Sequence, residues 1–136
     1  TDYVRTHTMA HVKLMGVQPF AETMEAVGRA LFLVSPSVCY ETFGRAIIEA
    51  FATGTPVLVS KIGAGASLVW DGVTGRHFET GNPDDLAAKA REMVKDADRL
   101  REWGANARQE YLEKYSEEKA YESLMGIYED VAWTKG

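Results

Sequence analysis

The sequence predicts an α/β protein, a parallel sheet covered by helices on both faces and followed by a helical C-terminus. Three observations carry that expectation. Residues 31–35 (LFLVS) and 56–60 (PVLVS) are short apolar runs closing on serine, with the character of strands buried on both faces. Between them, residues 43–52 have the composition of a helix, so strand, helix and strand alternate as they do in a parallel sheet. From Asn82 onward the chain carries amphipathic stripes at helical spacing and no further strand signal.

Taken in order, residues 11–15 (HVKLM) close on Gly16 and read as a strand. Pro19 suits the first turn of a helix reaching Arg29, with Phe20, Met24 and Val27 at helical spacing. The strand 31–35 and the helix 43–52 follow, and Gly54 in the TGTP run of 53–56 stops that helix at a cap position. After the strand 56–60, residues 63–67 read as a small-residue loop and 67–72 (SLVWDG) as a short amphipathic piece. Asp71-Gly72 and Gly75 then turn the chain into a strand at 76–79. Asn82-Pro83-Asp84-Asp85 combines an N-cap residue, a first-turn proline and first-turn acids, which together start a helix. Leu86, Ala90 and Met93, then Leu100, Trp103 and Ala107, then Tyr121, Leu124, Met125, Tyr128 and Val131 mark three helical stripes, the last after a cap at Ser116.

At 136 residues the chain fits one domain with one core, and such a domain buries roughly two thirds of the surface its unfolded chain exposes. Hydrophobic residues at 46% and charged residues at 26% separate it from disordered, collagenous and membrane classes. The net charge of −5, with both signs interleaved, leaves no basic face, which argues against nucleic acid as a partner. The apolar run 30–34 is far short of the roughly 18 residues a spanning helix needs. Cys39 is the only cysteine, so there is no internal disulfide and no multi-cysteine zinc site, and the cytoplasm is the expected compartment. The start at Thr1 has no signal-peptide character, and residues 1–136 are expected to be a single partial domain cut from a longer protein.

The chemistry concentrates in CYETFGRAIIEA, residues 39–50. Glu41 stands just before a helix and Glu49 two turns into it, on the order of 10 Å apart along the axis at about 1.5 Å per residue. That is the reach of a nucleoside diphosphate sugar from its ribose to its transferred sugar. Between the acids, Phe43-Gly44 opens the helix, where unpaired N–H groups and the positive dipole end favour phosphate and glycine permits close approach. An ionised carboxylate accepts two hydrogen bonds from a vicinal diol, each worth roughly 1.5 to 3 kcal/mol. On the competing reading Glu41 is a solvated loop acid and Glu49 a helix-face acid. Ala46, Ile47, Ile48, Ala50 and Phe51 surround Glu49 on most sides, which turns it toward a partner or ligand, but the residues alone leave both readings open.

The run SPSVCYETFGRAIIEAFATGTPVLVSKIGAGASLVWDGVTGRHF resembles the Glycos_transf_1 region of retaining glycosyltransferases with the two-domain GT-B fold, including its E-x(7)-E motif at Glu41 and Glu49. The likeness covers roughly residues 12–131. Its specificity lies in the order of features: strand, Pro36-Ser37, E-x-F-G, the second glutamate before Ala50, G-x-P-V, S-x-x-G and DG-x-TG. The resemblance implies a Rossmann-like C-terminal donor domain whose first βα units are missing, and transfer of a sugar from a UDP- or GDP-sugar with retention of configuration. It implies that Glu41 contacts the donor sugar hydroxyls and serves catalysis. The N–H groups of Gly44, Arg45 and Ala46, beside Phe43, would hold the diphosphate, and Glu49 the ribose hydroxyls. It places the loop Gly16-Val17-Gln18 near the base, with no metal and no other cofactor.

Two positions depart from the resembled pattern. Arg45 stands where an apolar residue is usual; a cation in a first helical turn is disfavoured by about 0.3 to 1 kcal/mol without an anion nearby, so Arg45 is expected to lean toward the diphosphate or a charged acceptor. Ser67 replaces an acid. His7, His11 and His77 lack metal-ligand spacing and read as structural or exposed, and Trp70, Trp103 and Trp133 read as core rather than as sugar platforms.

Departure of a diphosphate from an oxocarbenium-like sugar demands positive groups on the phosphates. The resemblance puts a lysine and an arginine for that role in the earlier part of the same domain, and the acceptor site in another domain through which any peripheral membrane association would run. The chain alone is therefore expected to be inactive. At most four strands are legible, against about six in the order 3-2-1-4-5-6, so the strands 11–15 and 31–35 are expected to be separated by two absent ones. Other readings are a glycogen-synthase or phosphorylase-like relative on the same fold and a noncatalytic nucleotide-binding or assembly module.

Overall fold

The computed structural model describes residues 3, 6, 7 and 9–134, with side chains to residue 132. The elements run α1 (Phe20–Arg29), β1 (Leu33–Ser35), α2 (Arg45–Ala52), β2 (Val57–Ser60), α3 (Gly63–Leu68), β3 (Gly75–Phe78), α4 (Pro83–Val94), α5 (Ala97–Lys114) and α6 (Glu117–Thr134). The strands form one parallel sheet in the order β1-β2-β3, with Val57 opposite both Leu33 and Gly75.

β2 is buried along its whole length because its side chains alternate between two separate apolar layers. Val57 and Val59 pack with Ile47, Ala50 and Phe51 of α2, Val69 and Ala107. Leu58 packs the other way, with Phe78, Met93 of α4, and Leu100 and Trp103 of α5. Helices therefore cover both faces, as the apolar run predicts. Each fully buried side chain of this size contributes about 1.5–3 kcal/mol.

α5 supplies residues to both layers, Leu100 and Trp103 to one and Ala107 to the other, so it passes the sheet at the amino end of β2. Gly104 makes that crossing possible. A Cβ there would lie 2.3 Å from the Gly54 carbonyl oxygen, closer than any side chain tolerates. Two helix starts are capped as the sequence predicts, Asn82 accepting from the Asp85 N–H at 3.0 Å and Ser116 from Lys119 at 3.3 Å, and Asp96 caps a third by accepting from Arg99 at 3.0 Å.

Several expectations are corrected. Residues 11–15 are not a strand: Val12, Leu14 and Met15 are exposed and lack a strand neighbour, without which an extended run does not hold. The sheet thus has three strands rather than four among the described residues. The 31–35 strand is shortened to β1, and Val34 and Leu31 are exposed, because β1 is an edge of this sheet rather than an interior strand. Residues 63–67 form the helix α3 instead of a loop. Gly65 allows that packing, since a Cβ there would sit 2.6 Å from Val59 Cγ2. The stripe Tyr121, Leu124, Met125, Tyr128 and Val131 is exposed on α6, and Trp70 is 58% exposed, so of the two described tryptophan side chains only Trp103 is core. The Trp133 side chain lies outside the described residues.

Candidate functional site

Parallel strands bring the carboxyl ends of β1, β2 and β3 to one side of the sheet, the side on which open α/β sheets bind ligands. The 36–44 segment leaves β1 there and is fastened to β2 and α3. Ser60 Oγ donates to the Ser37 carbonyl at 2.5 Å, and the Ala64 N–H donates to the Glu41 carbonyl at 3.1 Å. Gly63, at φ 60°, permits that approach, for a Cβ would stand 3.1 Å from the Glu41 nitrogen. The backbone of Glu41 is pinned beside the start of α3, and its exposed carboxylate makes no hydrogen bond or ion pair with the described residues.

Gly44 is the N-cap of α2, in the left-handed region at φ 64° and ψ 43° and buried. A residue with a Cβ pays about 1–2 kcal/mol in that conformation, so glycine is what lets the chain turn from the loop into the helix. Its carbonyl accepts from the Ile47 and Ile48 N–H groups at 3.0 and 3.3 Å. The N–H groups of Arg45 and Ala46 precede the first intrahelical bonds and have no partner within the helix. No side chain caps this start and no acid stands in its first turn, whereas α4 and α5 have both. The positive end of α2 is thus left open at the carboxyl side of the sheet. Phe43 and Ala46 are exposed around it.

Glu49 is held on the same helix face as Arg45, with Arg45 Nε donating to Glu49 Oε1 at 2.9 Å. The Glu49 side chain is 26% exposed and that of Arg45 is 78% exposed. The apolar neighbours of Glu49 do partly bury it, and Arg45 satisfies its charge. Arg45 therefore lies along the helix on its own glutamate instead of leaning off the first turn.

Glu41, Phe43, Gly44, Arg45, Ala46 and Glu49 are thus gathered on one loop and one helix start. Val17 and Gln18 are not joined to them by any hydrogen bond among the described residues: Val17 is fully exposed, and Gln18 Nε2 donates to the Met15 carbonyl at 2.5 Å. Among the described histidines, His7 and His11 are exposed, and His77 is half-buried with its Nε2 2.6 Å from the Val69 carbonyl oxygen, a structural position. No group of three or more His, Cys, Asp or Glu side chains among the described residues could hold a metal ion. No described helix is long and apolar enough to cross a membrane.

A separate cleft of about 600 Å³ runs along β3, lined by Lys61, Asp71, His77, Glu79, Thr80 and Asp85. None of the residues expected to bind the donor lines it. Lys61 is the feature that sequence reasoning passed over, a cation directly after the second apolar strand, at the carboxyl end of β2.

Residues 5–110 match the family described as Glycosyl transferases group 1. The chain belongs to that family. It is 30% identical over 131 residues, 96% of its length, to an uncharacterized glycosyltransferase of Methanocaldococcus jannaschii, of which it covers 37%. Its fold is similar to that of sucrose-phosphate synthase from Thermosynechococcus elongatus, with a TM-score of 0.89, 25% identity, and coverage of 98% of this chain and 33% of the other. It is also similar to a mutant of TarM from S. aureus in complex with Fondaparinux, alpha-GlcNAc-glycerol and UDP, at a TM-score of 0.78 and 25% identity, over 93% of this chain and 26% of that one. The group 1 glycosyltransferase chain thus spans about a third of the length of the relatives it matches. Its α/β fold is that of GT-B glycosyltransferases, as the sequence resemblance implies.

Proposed function

We propose that this chain is the donor-binding part of a glycosyltransferase that moves a sugar from a UDP- or GDP-sugar to an acceptor with retention of configuration. The observation that carries the reading is the open start of α2: a glycine N-cap, no capping side chain and no first-turn acid, with Glu41 before it and Glu49 two turns in. A diphosphate fits there because it supplies the charge that α4 and α5 obtain from their own acids. The N–H groups of Gly44, Arg45 and Ala46 would bond the phosphate oxygens and stabilise the charge that collects on them as the sugar leaves. Phe43 would flank the diphosphate. Glu41 would take the sugar hydroxyls as the catalytic residue, and Glu49 the ribose diol, exchanging its bond to Arg45 for two bonds from the ligand. Val17 and Gln18 would approach the base. UDP in the TarM complex supports a uridine nucleotide as the first donor to try.

The relatives are about three times as long, so the acceptor site and the cations for the diphosphate would come from the remainder of the protein. No metal is needed in this scheme, and chelation by EDTA should leave transfer intact. With Cys39 as the single thiol, the cytoplasm suits the protein.

Calorimetric titration of the full-length protein with UDP and GDP tests the reading. One nucleotide should bind, and Glu49→Ala should weaken it about tenfold or more, since each charge-assisted bond is worth roughly 1.5–3 kcal/mol and 1.4 kcal/mol is a factor of ten. Equal affinity of the wild type and Glu49→Ala sinks it. The anomeric configuration of the product, read by NMR coupling constants, tests retention. Nucleotide binding without transfer to any acceptor would instead identify a noncatalytic module.

A further inference from the structure

We infer that the groove between the 70–74 turn and α5 is a second carbohydrate-binding site, with Trp70 as the platform on which a pyranose ring of a glycan lies. Trp70 leaves 58% of its surface uncovered, a large apolar area that folding did not use. Its backbone is nevertheless fixed: its N–H donates to Thr74 Oγ1 at 2.9 Å, and its carbonyl accepts from Val73 and Thr74 at 3.0 Å each. Asn106 Nδ2 donates to the Val73 carbonyl at 3.0 Å and ties the turn to α5. The turn that carries the indole is held in place before any ligand arrives, which lowers the ordering cost of binding.

Opposite the indole, Asn106, Gln109, Glu110 and Glu113 follow one another at the spacing that puts residues on a single helix face. In a packed helix that stripe would be apolar. Here it is a row of amide and carboxylate groups oriented by one another. Gln109 Nε2 donates to Glu113 Oε1 at 2.9 Å, and Lys114 Nζ donates to Glu110 Oε1 at 2.5 Å while lying 5.8 Å from the Trp70 ring centre. The groove encloses about 300 Å³, the lower end of roughly 300–1,000 Å³ for small-molecule sites.

An aromatic face beside alternating donors and acceptors matches a sugar, whose ring offers apolar C–H groups on one side and hydroxyls around its rim. Lys114 already supplies the cation that the ring attracts, which disfavours a cationic ligand and leaves a neutral one. The groove sits at the amino end of β3, whereas α2 starts on the carboxyl side of the same parallel sheet. The two sites therefore lie at opposite ends of the strands. The choice of a glycan rests on the glycosyl-transfer reading, but the geometry of the groove does not.

The test is native gel electrophoresis of the full-length protein through gels containing dextran, soluble starch or mannan. The wild type should be retarded in at least one of them. Trp70→Ala should raise the apparent Kd about fivefold or more, and Glu113→Ala, at an exposed position, should also weaken retention. Circular dichroism checks the fold, and if Trp70→Ala does not fold, Glu113→Ala decides. No retardation of the wild type in any gel, or retention of the folded variants equal to the wild type, overturns the site. UDP affinity, measured on the same samples, should be unchanged by either substitution, so failure of the groove and failure of donor binding are told apart.

Discussion

Arg45 and Glu49 show how far single residues can be read. That Glu49 stands in an apolar stretch is plain in AIIEAFA, and partial burial follows from it. The partner is legible only as one of two competing readings: Arg45 stands four residues earlier at the spacing of a helical ion pair, but its first-turn position equally suits a phosphate. With Arg45 as exposed as it is, the pair is worth about 0.3–0.5 kcal/mol, and Arg45→Ala should lower stability by no more than that in urea denaturation. The same substitution should weaken nucleotide binding about threefold at low salt, a difference that fades as ionic strength rises and the Debye length shortens. Affinity that does not change at any salt concentration would remove Arg45 from the donor site. Gly44→Ala places a Cβ 2.7 Å from Leu68 Cδ1, a side-chain end that can yield, at φ 64°, which cannot. A loss of about 1–2 kcal/mol in chemical denaturation is expected from the backbone conformation.

At the level of elements, the regular features were the readable ones. Asn82-Pro83-Asp84-Asp85 announced α4, and Asn82 does accept the bond from Asp85; Asn82→Ala should cost about 1 kcal/mol. The run PVLVS announced a strand buried on both faces, and β2 is one. HVKLM had the same local signal without a strand to pair with, which no local pattern reveals. The small residues of α3 looked like a loop because their role is proximity: Gly63 lies against the Glu41 backbone and Gly65 against Val59. Gly104 is the sharpest case. In an exposed helix interior, glycine to alanine gains about 1 kcal/mol, but here the added Cβ meets the Gly54 carbonyl at 2.3 Å. Gly104→Ala should therefore destabilise by roughly 1–3 kcal/mol, seen as a lower denaturation midpoint with an unchanged slope. A stabilised protein would mean that α5 does not cross as described.

Across the whole molecule, the two layers around β2 are closed, while the edge of β1 and the apolar stripe of α6 are not. The alternation of strand and helix indicates the first, and the count of missing units that the resemblance implies indicates the open edge of β1; the exposed stripe of α6 is legible in neither. What neither could supply was Trp70, because an amphipathic segment does not say which of its faces the fold will leave uncovered. With the relatives about three times as long, polypeptide 1–136 on its own should transfer no sugar from UDP-glucose to any acceptor that the full-length protein uses.

The central claim places the donor's diphosphate at the start of α2, between Glu41 and Glu49. A crystal structure of the full-length protein with its preferred nucleoside diphosphate tests it directly. The account predicts phosphate oxygens about 2.7–3.2 Å from the backbone nitrogens of Gly44, Arg45 or Ala46, with the ribose hydroxyls on Glu49. A diphosphate seated instead on Lys61, in the cleft along β3 with Asp71 and Asp85, would contradict it.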